Sequence, residues 1–401
     1  MQVPLAKIIE TRYGGLGVPI EVELPNGANV RLADRPEVRV IVRSLQGLRA
    51  LARPAMGRLA TAYVRGDLDF SGSARRMLAI AERMVGEFRH GSDPVAARVR
   101  AWLHQRRENQ DNIAHHYDVS DAFYRLWLDQ RMVYSCAYFR REDDTLEAAQ
   151  LAKLDHICRK LRLEPGERFL DIGCGWGALV LHAAEAYGVQ AKGITLSRNQ
   201  YEHVKREIAR RGLAGRVDVE LVDYGRLDDP PYDKIASVGM FEHVGVTRLP
   251  EYFAKIRQLL KPGGFVLNHG ITHNPLHARA LGSGIGDFVE RYVFPGGELT
   301  HVSRVIATMA DAGLETVDAE ALREHYAKTL WHWTDRLEAN GDAARGEAGE
   351  ERYRIWHIYM AGSAHAFERG WLSLWQLLAG RPHPDGRLPH PLTRDYMYAK
   401  R

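Results

Sequence analysis

The chain has 401 residues, 45% hydrophobic and 26% charged, with a formal net charge of +4, the balance of a soluble globular protein that suits one large domain plus a small one. No run approaches the roughly 18 apolar residues of a membrane span, and the opening MQVPLAKIIETRYGG lacks the basic flank and apolar core of a secretory signal, so a cytoplasmic location is expected. Cys136, Cys158 and Cys174 form no CxxC or CxxH spacing, which supports neither a disulfide framework nor a structural zinc site. The charge is uneven: Met1 to Glu108 holds 18 Lys and Arg against 11 Asp and Glu, and all but one of the 18 are arginine. That surplus fits nucleic acid, anionic lipid head groups and a merely solvated surface alike.

In chain order, PIEVELPNGANVRL (Pro19 to Leu32) alternates around Pro25-Asn26-Gly27 as a hairpin would. Helical patterns are read at Glu37 to Ala52 and Ser73 to His90, separated by AYVRGDLDFSG. Pro94 to Arg107 reads as a helix with Val95, Val99, Trp102 and Leu103 on one face and Arg98, Arg100 and Arg107 off it, either an ordinary packed helix or a membrane-surface one. From Glu167 onward strand and helix alternate, the signature of a parallel sheet with covering helices. The strands are expected at Arg168 to Ile172, Val189 to Leu196, Val217 to Val222, Lys234 to Gly239 and Phe265 to His269, with LKPGGF as a turn before the last. The late GRPHPDGRLPHPLTRD reads as a proline-rich surface segment without chemistry.

Two features carry chemistry. In FLDIGCGWGALV, Gly173, Gly175 and Gly177 follow an apolar strand and lead into a helix, so backbone can approach a ligand closely at a helix N-terminus. A nicotinamide site wants an acid roughly 20 residues on; GITLSRNQ stands there instead, which counts against NAD and FAD and leaves an amide or hydroxyl for the ribose. The second feature is FEHVG, where Glu242 and His243 end an otherwise apolar or small run, DKIASVGM. Such a pair either marks the end of a buried strand or places Glu242 in a pocket as a holder or a base.

LDIGCGWG resembles the cofactor loop of S-adenosylmethionine-dependent methyltransferases. Over nearly its full length the chain resembles the cyclopropane-fatty-acid synthase family, through AYVRGDLDF, NIAHHYDVSDAFYRLWLDQRMVYSCAYF, LDIGCGWG, GITLSRNQ, SVGMFEHVG, LNHGI, YVFPGGEL and HYAKTLWHW, in the family's order. The resemblance implies an α/β fold with the seven-stranded, mainly parallel, Rossmann-like sheet of class I methyltransferases. It implies a small α+β N-terminal domain for lipid or membrane binding over 1–110 and a catalytic domain over 111–401. It implies methylene transfer from S-adenosylmethionine across the cis double bond of an unsaturated phospholipid acyl chain. The cofactor would be held by Tyr134, Ser135, Gly173, Gly175, Gly177, Thr195, Leu196, Gln200, Asp223 and Tyr224. A bound bicarbonate, the base that deprotonates a carbocation on the acyl chain, would be held by Cys136, Glu242, His269, the backbone of Ile271, and Tyr326. Tyr292, Phe294, Tyr326, Trp331 and Trp333 are available to face that cation, and His115, His116 and His243 receive no role. Where some members of the family carry a cysteine, this chain has Ser363, so no thiol can act there.

The expected partners are the lipid substrate and an anionic membrane surface, with the protein peripheral on the inner membrane face, a homodimer among its expected assemblies, and no nucleic acid. A nucleic-acid methyltransferase is disfavoured because DPPYD (Asp229 to Asp233) precedes the fourth strand rather than following it. The same site would give a methyl-branched or methylene product if the cation lost a different proton. A lipid-transfer protein with a dead site would need a broken glycine loop or anchoring set, and neither is broken.

Overall fold

The computed structural model describes residues 5–86, 120–275, 285–293 and 298–398. The helix read at Pro94 to Arg107, His115, His116 and Phe294 lie outside the described residues. The described helices, in chain order, are α1 (Leu5–Tyr13), α2 (Leu45–Ala52), α3 (Met56–Val64), α4 (Ala74–Val85), α5 (Asp121–Arg125), α6 (Leu146–Leu161), α7 (Ala178–Tyr187), α8 (Arg198–Arg210), α9 (Leu249–Leu259), α10 (Ile285–Tyr292), α11 (Val302–Asp311), α12 (Arg323–Ala339), α13 (Gly341–Ala348), α14 (Glu350–Glu368) and α15 (Asp395–Tyr398). The strands are β1 (Ile20–Glu23), β2 (Asn29–Arg31), β3 (Val38–Val42), β4 (Leu68–Ser71), β5 (Arg168–Ile172), β6 (Gln190–Thr195), β7 (Val217–Leu221), β8 (Tyr232–Val238), β9 (Leu260–His273), β10 (Glu315–Ala321) and β11 (Leu372–Gly380). The chain divides into two compact units, one of residues 1–107, 279–295 and 333–366, the other of 108–278, 296–332 and 367–401.

The first unit holds a four-stranded sheet in the order β2-β1-β3-β4. The expected hairpin is β1–β2, with Glu21 opposite Arg31 and Val22 opposite Val30. The helix expected from Glu37 is instead β3 followed by α2. Val38, Val40 and Val42 alternate inward, as β-branched residues do on a pleated surface. Ser44 then stops the strand and starts α2 by accepting from the N–H groups of Gln46 and Gly47. The stretch AYVRGDLDFSG, read as a separator, supplies the end of α3 and all of β4. Later chain segments join this unit through polar contacts: Tyr63 Oη lies 2.8 Å from His357 Nδ1, His357 Nε2 lies 2.8 Å from Glu338 Oε1, and Arg354 Nη2 pairs with Asp69 Oδ2 at 2.9 Å.

The second unit is built on a seven-stranded sheet in the order β10-β11-β9-β8-β5-β6-β7. Strands β9, β8, β5, β6 and β7 run parallel, and β11 is antiparallel to both β9 and β10. β5 and β8 are buried almost throughout, as strands covered on both faces must be. The segment LKPGGF does not end a loop before β9; it is a bulge inside it. The register steps from Tyr232 opposite Leu260 to Lys234 opposite Phe265. The extra residues are accommodated where Gly263 has φ +79 and where a Cβ on Gly264 would stand 2.7 Å from the Asp233 carbonyl oxygen. Strand order reverses between β5 and β8, and a ligand crevice belongs outside the carboxyl ends of strands at such a switch.

Candidate active site

A cleft of about 1100 Å³, its open mouth included, lies at that switch point. Its wall is built from the carboxyl ends of β5, β6 and β8, the turn after β7, and the segment Met132 to Ser135. Of the ten residues expected to hold the cofactor, nine line it: Tyr134, Ser135, Gly173, Gly175, Thr195, Leu196, Gln200, Asp223 and Tyr224. Gly177 does not. It caps α7 with φ +83, and a Cβ there would stand 2.8 Å from Val204 Cγ2, so its role is close packing of the helix against α8. Gly175, with φ +54 and open space where a Cβ would go, is where backbone faces the cleft.

The amide at Gln200 is held in place. Thr195 Oγ1 donates to Gln200 Oε1 at 2.7 Å, so the amide N–H groups are what this side chain can offer a ligand. Asp223 Oδ1 accepts from Gly225 N at 2.8 Å and shapes the turn on which Tyr224 packs edge-on against Tyr252. Tyr134 belongs to an aromatic cluster with Tyr124 and Trp127, at centroid distances of 5.9 and 5.5 Å. Its neighbour Ser135 is tied to α6 by Gln150 Nε2 on its carbonyl (2.9 Å) and Lys153 Nζ on its hydroxyl (3.0 Å).

The five residues expected around an anion do not line this cleft; they lie beyond it. Gly239, Met240 and His243 line the cleft, and between them and β9 stands Glu242 in a single helical turn, Phe241–His243. Glu242 is only 9% exposed. It does not end a strand in solvent. Its Oε1 accepts from Ile271 N at 2.7 Å, and its Oε2 is buried without a partner among the described residues. Burial raises its pKa to about 7 against the opposing pull of the Ile271 N–H. Gly270 makes room for it: a Cβ there would stand 2.1 Å from Phe241 Cε1 and 2.9 Å from Glu242 Oε1.

His269, also buried, has the opposite shift, down to about 3, because burial disfavours the imidazolium and Lys153 and Lys160 add to that. It is therefore a neutral imidazole. Gln376 Nε2 lies 3.2 Å from its Nδ1, across the β9–β11 register; with the amide N–H as donor, the imidazole proton is assigned to Nε2. That Nε2 is buried and unpartnered among the described residues. Cys136 and Tyr326 reach the same strands through Leu322. Cys136 Sγ lies 3.2 Å from the Ala137 carbonyl oxygen and 3.9 Å from that of Leu322, either of which can take its one S–H; Tyr326 N donates to that same Leu322 carbonyl, and Leu322 N donates to the carbonyl of Leu374, which pairs with Ile271. Burial pushes the Cys136 thiol well above its usual range, so it stays protonated.

An acceptor on Glu242 and a donor on His269, both buried and unpartnered, are what a small oxyanion carrying one O–H would satisfy. The donor set thus fits bicarbonate, with one qualification: the Ile271 N–H is already taken by Glu242. Of the aromatic candidates, Tyr326 packs on Phe367 at 4.8 Å, Trp331 Nε1 donates to Glu368 at 2.8 Å, Trp333 is buried, and Tyr292 packs on Phe288 in the first unit. Sequence reading did not single out Lys153, Asp171, His243 or Gln376 as site residues. Asp171 stood inside the glycine motif and His243 beside Glu242, whereas Lys153 and Gln376 sit in ordinary helix and strand patterns that carry no mark. Among the described residues no cluster of side chains could hold a metal ion.

The model of the family described as mycolic acid cyclopropane synthetase matches residues 104–377. A probable fatty acid methyltransferase of Pseudomonas putida is 44% identical over 96% of this chain and 97% of its own length. Cyclopropane mycolic acid synthase 1 of Mycobacterium tuberculosis is 38% identical over 66% of this chain and 95% of its own. Among solved structures, mycolic acid cyclopropane synthase CmaA1 complexed with SAH and CTAB superposes with a TM-score of 0.65 at 37% identity, covering 69% of this chain and 99% of that one. Cleft, sheet order and relatives agree, and the chain belongs to the mycolic acid cyclopropane synthetase family as an S-adenosylmethionine-dependent enzyme.

Proposed function

We propose that the protein transfers a methylene from S-adenosylmethionine across the cis double bond of an unsaturated phospholipid acyl chain, giving a cyclopropane fatty acyl chain. The observation that carries this reading is two buried atoms without a partner among the described residues, Glu242 Oε2 and His269 Nε2, on segments that Ile271 N and the cleft-lining Gly239 N tie together. Methyl transfer to nitrogen or oxygen releases a proton from a polar N–H or O–H, whereas closing a ring on an alkene must take one from the newly added carbon, which calls for a base held at a fixed place beside it. S-adenosylmethionine, when bound, supplies the electrophilic methyl group. Bicarbonate, when bound, would supply a base.

The chain's own residues do the rest. The glycine loop and Gln200 hold the cofactor in one orientation, and fixing the methyl in line with an alkene face is worth roughly 7 to 11 kcal/mol of barrier. Glu242, with its pKa near neutrality, accepts or shares a proton with an oxyanion, while the N–H on His269 Nε2 donates to it. Cys136 remains a neutral thiol and Tyr326 stands beside it on the Leu322 carbonyl.

Support for a lipid bilayer as the source of substrate comes from two directions. Residues 1–110, which we assign to lipid or membrane binding, carry the arginine surplus, with residues 111–401 assigned to catalysis. The relative matching nearly the whole chain is named for fatty acid, whereas the one named for mycolic acid matches 66% of it. On the arginine surplus we assign the protein a peripheral place on the inner membrane face, in the cytoplasm; among the described residues no helix is long and apolar enough to cross a membrane. The name of the Pseudomonas relative also favours a second reading, the same site ending in a methyl-branched or methylene chain. The test is incubation with methyl-¹³C cofactor and vesicles of one cis-monounsaturated phospholipid. Cyclopropane resonances carrying the label are expected; labelled methyl or vinylidene resonances would favour the second reading, and no labelled lipid would overturn both.

A further inference from the structure

The cofactor cleft ends on a charge that the reaction as proposed does not use. Lys153, on α6, lines the cleft and is 2% exposed. Its one described hydrogen bond goes to a neutral hydroxyl, Ser135 Oγ at 3.0 Å, and Asp129 and Asp171 attract it without forming a salt bridge among the described residues. The acid beside it in the chain's geometry, Asp129, is committed to the N–H groups of Arg131 and Val133 at 3.1 and 2.8 Å. Asp171 also lines the cleft with its Oδ1 buried and unpartnered. Burial brings Lys153 down to about 8 and Asp171 up to about 7, each only partly offset by the charge of the other.

The cofactor has a matching end. If its adenosine lies on the β6 and β7 side, where Thr195, Gln200, Asp223 and Tyr224 stand, its amino-acid end must lie toward β5 and α6. That end carries one carboxylate and one ammonium. We infer that Lys153 is the counter-ion of the cofactor's carboxylate, with Asp171 left to face the ammonium. This rests on the S-adenosylmethionine reading and not on bicarbonate or lipid.

The test pairs a change in the protein with a change in the ligand. S-adenosylhomocysteine and its decarboxylated analogue, 5′-S-(3-aminopropyl)-5′-thioadenosine, are titrated by calorimetry into the parent, Lys153→Met and Lys153→Arg. In the parent, loss of the carboxylate should weaken binding about 10- to 100-fold, the range of a charge-assisted pair. In Lys153→Met the two ligands should differ less than about 3-fold, and Lys153→Arg should restore most of the difference. An unchanged ratio in Lys153→Met, or equal weakening of both ligands, would reduce Lys153 to a support for Ser135 and overturn the inference. Should Lys153→Met fail to fold, a parent that binds both ligands equally would overturn it alone, and a parent binding neither would overturn the cofactor reading first.

Discussion

Replacing Glu242 by glutamine removes a charge that the protein holds at a cost. Its displacement from 4.5 to about 7 corresponds to about 3 kcal/mol against the ionised form. Because the folded value lies above the unfolded one, the stability this carboxyl contributes is fully present below pH 4.5 and is lost as pH rises through about 7. At pH 8 the parent therefore carries the whole cost and the Glu242→Gln variant carries none. The variant keeps an amide oxygen for the Ile271 N–H but exchanges a charge-assisted bond for a neutral one, a loss of about 1 kcal/mol. The variant should thus be more stable than the parent by about 1 to 2 kcal/mol at pH 8, roughly 2 to 8 °C in thermal midpoint for a unit of this size, with the gain vanishing at pH 5. The assay is thermal unfolding at pH 5 and pH 8 in carbonate-free buffer, then with bicarbonate added. Bicarbonate should raise the midpoint of the parent and not of the variant, while turnover falls in the variant and S-adenosylhomocysteine affinity stays near normal. A difference between parent and variant that is the same at both pH values would refute the reasoning, because the buried charge would then not be the cause.

Gly175→Val places a branched side chain at φ +54 in open ligand space, so cofactor affinity by calorimetry should fall more than about 100-fold while the ligand-free protein stays folded. Gln376→Leu removes the donor to His269 Nδ1; long-range ¹H–¹⁵N spectra should show the Nε2-protonated imidazole in the parent and a mixture of tautomers in the variant, with reduced turnover at unchanged cofactor affinity. Activity on anionic vesicles should fall with rising salt and with neutral lipid, since each basic residue near such a surface contributes about 1 kcal/mol that is screened within a Debye length; salt-independent binding to uncharged vesicles would point to apolar insertion instead.

What could be read from the sequence was local, and what could not was assembled from distant segments. β5 and its glycine loop are contiguous, so strand, loop and helix declare themselves within fifteen residues, and the other parallel strands were placed to within a few residues at most ends. β3 was misread because VRVIV runs directly into a capped helix, and a helical window averages over the junction. LKPGGF looks like any other proline–glycine turn, and only pairing with β8 makes it a bulge. The resemblance supplied Glu242 and His269, yet nothing in either motif tells that Ile271 N–H is already spent on Glu242 or that Gln376 sets the imidazole. The first depends on the turn after β8 meeting β9, the second on the register between β9 and a strand that begins at Leu372. Lys153 was invisible for a different reason: on α6 it reads as one more basic residue of an amphipathic helix, and only burial singles it out.

The placement of β11 between β9 and β10 also sets an order of assembly. During synthesis the residues lining the cofactor cleft, Met132 to His243, leave the ribosome long before Leu372 to Gly380. Until that strand slides in, β9 has an open edge and His269 stands 107 residues away from the partner that fixes its proton. A nascent or C-terminally clipped chain would expose the edge of β9, with the run FVLNHGI, to pairing with other chains.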